Sequence, residues 1–179
     1  MLSVSVCVED DITGRRRWVE LPTADLDVEL ADMDKDSVYV VDCDSMVPLD
    51  LGSDVSKIND VLFACRNAGI EKLDQLAALC DVCGIVYADD DDLLMILQSS
   101  EFSIYAVKGD FPAYTPEETA ACYLATVQYI PFGDLKDSDL VFVEDHLSDY
   151  MDWAYVWVDY KTKGYALAEI NGVVYIVQV

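Results

Sequence analysis

Carboxylates are the most abundant reactive groups in the chain. Its 179 residues hold 35 Asp and Glu, against 11 Lys and Arg and a single histidine, His146. At this density acids fall near one another by chance, so a paired-carboxylate site of the glycosidase kind has almost no specificity as a motif. His146 stands among Glu144, Asp145 and Asp149, and a carboxylate-oriented imidazole could act as a general base. It has no nucleophile motif to serve, because neither a G-x-S-x-G elbow nor a papain-like cysteine box occurs. Cys80-Asp81-Val82-Cys83 is a CxxC late in an apolar helical segment, with no second pair to complete a zinc site. Asp89-Asp90-Asp91-Asp92 runs into Leu93-Leu94 without the alternating ligands and glycine of an EF-hand loop. Phosphate-cradling loops of the G-x-x-x-x-G-K-[ST] and G-x-G-x-x-G kinds are missing. The expectation is a protein that is not an enzyme, with no metal and no cofactor.

The charge is then the feature to explain. The formal net charge is −24, yet 53% of the residues are hydrophobic. Acidic disordered chains are poor in apolar groups, so this is a folded polyanion. Direct binding of nucleic acid needs basic residues on the phosphates and is excluded as the main activity. An anionic membrane surface is disfavoured for the same reason. The start MLSVSVCVEDD lacks a basic, then apolar, targeting pattern, and no apolar stretch approaches the roughly 18 residues of a membrane span. The six cysteines (Cys7, Cys43, Cys65, Cys80, Cys83, Cys122) read as reduced, inert thiols of a cytoplasmic protein.

The acids are unevenly placed. Residues 1–60 carry 15 acids against 5 bases, 61–88 carry 3 against 2, and 89–159 carry 16 against 2. Asp outnumbers Glu by 26 to 9, and Asp is the poorer helix former, so these are not simply solubilising helix faces. The one basic cluster, Arg15-Arg16-Arg17, reads as a solvated hairpin tip or an internal counterion.

The elements that must position these groups are mixed. Val4, Val6 and Val8 alternate with polar or small residues, predicting a strand; Trp18 to Leu21 is its hairpin partner, and Ser37 to Asp42 a third strand. Thr23 to Leu30 reads as a short helix. Longer helices are expected from an N-cap at Ser53 through Asn67, from Glu71 to Cys83, and from Asp89 to Ser100, the last with four aspartates at the positive end of its dipole. Phe102 to Val107 is a strand candidate. Thr115-Pro116-Glu117-Glu118 is a capping-box start for a helix reaching Gln128. Leu135 to Asp145 is acidic around Leu140-Val141-Phe142-Val143, and Ser148 to Trp157 reads as a helix. Asn171-Gly172 between two apolar runs signals a terminal hairpin. The fold class is α+β, with three small consecutive domains: β-rich 1–52, helical 53–101 and mixed 102–179.

Three stretches carry a family likeness. They are Trp18-Val19-Glu20-Leu21-Pro22; Tyr39-Val40-Val41-Asp42-Cys43-Asp44 followed by Val55 to Leu62; and Tyr150-Met151-Asp152-Trp153-Ala154-Tyr155 running through Asp159-Tyr160 into the hairpin Tyr165 to Ile176. In this order the chain resembles the ArdA-type antirestriction proteins, polyanions encoded on mobile elements. The resemblance implies an elongated three-domain molecule that forms a homodimer through its C-terminal domain. It also implies mimicry of bent duplex DNA, filling the DNA-binding core of a type I restriction–modification enzyme. The charge is of a suitable size: duplex DNA carries one charge per roughly 1.7 Å, so 24 charges match about 40 Å of duplex.

On this reading the phosphate-mimicking acids are Asp89, Asp90, Asp91, Asp92, Asp110, Glu117, Glu118, Asp134, Asp137, Asp139, Glu144 and Asp145, chosen because they cluster in the most acidic region. The aromatic patch Tyr150, Trp153 and Trp157 is the expected dimer interface. A rival reading is an acidic interaction or regulatory module that binds one protein partner through the aromatics near Trp153. A hydrolase built on His146 ranks behind both.

Overall fold

A computed structural model describes residues 2–34, 37–88, 90–99, 101–109, 111 and 114–179. The fold is α+β, with two small antiparallel sheets and, among the described residues, seven α-helices. The chain divides into two compact units, Met1–Phe102 and Ser103–Val179.

In the first unit β1 (Val4–Asp10) lies between β2 (Arg16–Leu21) and β3 (Val38–Asp44), antiparallel to both. The alternation of β1 sends Val4, Val6 and Val8 into the core with Val19, Leu21, Val38 and Val40. The same period carries Asp10 inward, and it is fully buried. A bulge between Cys7 and Val8 shifts the register against β3. The segment read as a short helix narrows to α1 (Leu26–Glu29).

Helix α2 (Val55–Asn67) sets Val55, Ile58, Leu62 and Cys65 inward, as their spacing predicts. Its cap is Asp54, not Ser53: the Asp54 carboxylate accepts from Ser56 N–H at 2.8 Å. The Ser53 carbonyl is held by Val40 N–H at 3.0 Å, so the chain is still bridged to the start of β3 there and the helix starts one residue later. Sheet and helix are tied by buried Asn59, which accepts from Thr23 N–H at 2.8 Å and donates to the Thr23 carbonyl at 3.2 Å. Arg66 also donates to the Leu2 carbonyl at 3.0 Å. Helices α3 (Leu73–Cys83) and α4 (Asp91–Ser99) complete the unit.

In the second unit β6 (Val173–Gln178) is central between β4 (Ser103–Ala106) and β5 (Tyr165–Ile170). The β5–β6 loop is the expected Asn171-Gly172 pair, with φ of 53° and 74°. Two successive positive φ values make the turn whose twist suits a two-residue hairpin, and Asn and Gly are the residues that tolerate them. Helix α5 (Pro116–Thr126) begins with the full capping box: Glu118 N–H donates to Thr115 Oγ1 at 3.3 Å, and Thr115 N–H to Glu118 Oε2 at 2.8 Å. Ala120 to Thr126 are all buried, so α5 is the central helix. It packs on α7 (Trp153–Thr162), whose Trp153, Val156, Trp157 and Tyr160 enter the same core.

The acidic stretch after Leu135 becomes α6 (Asp137–Phe142), which widens into a π-helical turn (Val143–Leu147) and tightens into a 3-10 turn (Ser148–Tyr150). The helix expected from Ser148 therefore starts later, at Trp153. Asp152 is its cap, accepting from Tyr155 N–H at 3.1 Å.

Gly164, with φ of 86°, joins α7 to β5, and a Cβ built there would lie 2.7 Å from the Val179 carbonyl oxygen. Gly164→Ala therefore combines left-handed strain with a backbone clash. It should lower the stability of the second unit by about 2 kcal/mol or more, read from the urea midpoint at unchanged slope.

Candidate partner-binding surface

The carboxylates stand where a partner would meet them. Among the described Asp and Glu residues only Asp10 is buried. Asp89 and Asp110 lie outside the described residues. Asp90 precedes α4 and accepts from Asp92 N–H at 2.9 Å, so it caps the helix and leaves Asp91 and Asp92 to form its acidic first turn. Both are exposed, and Asp91 also pairs with Lys57 at 2.9 Å. These acids belong to the first unit; the remaining candidates belong to the second.

Glu117 is exposed in the first turn of α5, whereas Glu118 is half-buried by its role in the capping box. Asp134 is exposed in the turn before α6. Asp137 and Asp139 occupy the first turn of α6, and Asp139 accepts from Lys136 N–H at 2.9 Å. Glu144 and Asp145 lie on the π-helical turn, where Glu144 accepts from Tyr129 O–H at 2.5 Å. That hydrogen bond, followed by desolvation and the charges of Glu144 and Asp145, holds the Tyr129 phenol above its ordinary range. The structure thus strings Asp137, Asp139, Glu144 and Asp145 along one helical segment, all exposed. Glu117 and Glu118 sit on a separate helix.

The aromatic patch divides. Trp153 and Trp157 are buried in the core of the second unit, with Trp153 Nε1–H donating to the Ser148 carbonyl at 3.0 Å and its ring edge-on to Phe132. Tyr150 is 85% exposed and Tyr155 76%. Of the dense aromatics near Trp153, these tyrosines are what the surface presents. His146 is exposed and tilts against the Phe142 ring, with centroids 4.7 Å apart.

One surface feature lies outside the twelve chosen acids, Asp134 excepted. A groove of about 490 Å³ runs between α7 and the turn at Phe132–Leu135, with Met151, Tyr155, Val158 and Thr162 on the helix side. Tyr155, Val158 and Thr162, spaced by three and four residues, share a face of α7 that was legible in the sequence, and Met151 adjoins it from the extended residue before the helix. Asp134, Asp152 and Asp159 also line it. Asp159 pairs with Lys163 at 2.8 Å and accepts from Gly133 N–H at 3.1 Å; the Lys163 hydrogen bond first, and then that from Gly133, hold its carboxyl below the usual range.

The arginine triplet is an internal counterion. Arg15 and Arg17 reach Asp32 at 3.4 and 2.8 Å, Arg16 reaches Glu9 at 2.5 Å, and Arg17 also donates to the Glu29 carbonyl. In the CxxC pair, Cys80 is buried and Cys83 half-buried; burial pushes the thiols of Cys65 and Cys80 up to about 12. Among the described residues no three His, Cys, Asp or Glu side chains are grouped to hold a metal ion. Among the same residues no helix is long and apolar enough to cross a membrane. Compared with family models, with curated proteins and with solved structures, the chain matches none.

Proposed function

We propose that this chain is a DNA-mimic antirestriction protein of the cytoplasm, occupying the DNA-binding site of a type I restriction–modification enzyme. The observation that carries the reading is the exposure of its acids: at −24, the charge is held on a folded surface, with Asp10 the one buried carboxylate among the described residues. A basic DNA channel is the complementary partner, attracted over long range and occupied without any covalent step. The three sequence stretches that resemble the antirestriction family support the same reading. An elongated homodimer belongs to this proposal, as does a finer division into 1–52, 53–101 and 102–179.

The test is a titration of the chain against a purified type I enzyme, reading displacement of labelled duplex DNA carrying the enzyme's recognition site at several salt concentrations. Because each carboxylate replaces a phosphate against Lys or Arg, the inhibition constant should rise by roughly 100-fold or more between 50 and 200 mM salt. Replacing Asp137, Asp139, Glu144 and Asp145 by their amides should weaken inhibition in graded steps of roughly two- to fivefold each. A rise of less than about threefold across the salt range, or a single amide that abolishes inhibition, overturns the proposal.

A further inference from the structure

Helix α7 is apolar on two sides. Trp153, Val156, Trp157 and Tyr160 fill the core, while Tyr155 and Val158 are 76% and 55% exposed beside the groove. A helix apolar on both sides is ordinarily covered on both. The uncovered side is not a flat patch: Leu135 and Met151 border the same groove, so a bulky apolar side chain entering it is enclosed. Carboxylates stand at its edge. Asp134 is exposed, and Asp152 is exposed and fixed by its cap bond to Tyr155 N–H.

We infer that this groove docks a basic amphipathic segment of a partner protein. One bulky apolar side chain inserts between Leu135 and Tyr155, and flanking Lys or Arg side chains reach Asp134 and Asp152. Charge complementarity chooses this occupant. Residues 103–179 carry 12 acids against 4 bases, so a second copy would bring its own carboxylates against this rim. Nucleic acid and anionic lipid are repelled by the same field. The inference stands independently of the restriction-enzyme reading, because a phosphate array needs carboxylates alone and this groove adds an apolar floor.

The test uses the full chain and two synthetic peptides of equal positive charge. One is an amphipathic Lys/Leu sequence; the other is its Lys/Ser counterpart. Calorimetric titration should give at least about tenfold tighter binding of the Lys/Leu peptide. Tyr155→Ala should remove most of that difference and leave the Lys/Ser affinity unchanged. Val158→Ser, a second exposed position, should act in the same direction, and Asp134→Asn should weaken the Lys/Leu peptide by roughly threefold. Equal affinity for the two peptides, or a Lys/Leu affinity insensitive to both α7 variants, overturns the inference. So does sedimentation showing that Tyr155→Ala turns a dimeric parent into a monomer, which would give the groove to a second copy. Failure of the enzyme-inhibition experiment leaves the peptide comparison intact, so the two proposals fall separately.

Discussion

Asp10→Asn should lower the melting temperature of the first unit by on the order of 10 °C, a large effect for one atom exchanged for another of nearly equal size. Asp10 is buried on the core face of β1, and among the described residues each partner of its carboxylate is a donor. Oδ1 accepts from Ile12 N–H at 2.9 Å, Thr13 N–H at 3.3 Å and Ser37 O–H at 2.9 Å. Oδ2 accepts from Thr13 O–H at 2.7 Å and Asp34 N–H at 3.4 Å. An amide turns one of these oxygens into an NH₂ facing donors, which leaves buried polar groups without partners. Hydrogen exchange should show the loss first at the amides of Ile12, Thr13 and Asp34.

The hydrogen bond from Thr13 leads the effects that hold the Asp10 carboxyl far below its ordinary range, with those from Ser37, Ile12 and Thr13 N–H adding to it against desolvation. A depressed folded-state value means that the carboxylate's stabilisation is present above the unfolded value near pH 4 and is lost as the pH falls below it. The surface acids act in the opposite sense, since protonating them relieves the self-repulsion of a −24 chain. The contribution of Asp10 is therefore read from the difference between parent and Asp10→Asn melting temperatures. That difference should be constant from pH 7 to about 5 and shrink below pH 4. A difference that grows on acidification would show that the network does not hold the charged form.

Trp153→Ala should cost the second unit about 3–5 kcal/mol, a large fraction of what a small domain has. The indole is 2% exposed, donates to the Ser148 carbonyl, and lies edge-on to Phe132 with centroids 6.3 Å apart. Its removal leaves a cavity and takes from the Ser148 carbonyl its shorter hydrogen bond, leaving the 3.5 Å bond from Met151 N–H. Near-ultraviolet circular dichroism and the urea transition would report the loss directly. Tyr155→Ala, two residues away and largely exposed, should change stability by no more than about 0.5 kcal/mol. A function lost with Trp153→Ala and kept with Tyr155→Ala therefore reports folding, not an interface. A Trp153→Ala chain with an unshifted urea midpoint would contradict this assignment of the indole to the core.

The parts of the fold that were legible in the sequence are those with a local cause. Period-two valines gave β1, Asn171-Gly172 gave the hairpin, and Thr115 with Glu118 gave the start of α5, because each signal acts over a few residues. Tertiary competition explains the displaced boundaries. Ser53 is a good cap, but its carbonyl is engaged by β3, and Asp54 takes the role. In the α6 region Leu140 and Val143 alone are buried, while Val141 and Phe142 face outward, so no amphipathic period stands out in the sequence there.

For the candidate site, acid-rich composition located the exposed carboxylates without their arrangement. It could not say that Glu118 and Asp139 are tied to backbone, or that Trp153 and Trp157 turn inward. Two signals were present and unused. Asp10 extends the Val4, Val6, Val8 alternation into the core, and Tyr155, Val158 and Thr162 share a helix face.

Many exposed acids are bonded to main-chain N–H groups: Asp54 to Ser56, Asp90 to Asp92, Asp139 to Lys136 and Asp152 to Tyr155. Each bond removes rotamers that a free surface carboxylate would otherwise keep. Where such groups contact a partner, their ordering has already been met by folding, so association loses less configurational entropy than it would on flexible glutamates. The preponderance of Asp over Glu serves the same end, since a shorter side chain has fewer torsions to fix. At these four positions the anionic surface is therefore stiff, its charge held in place before any encounter.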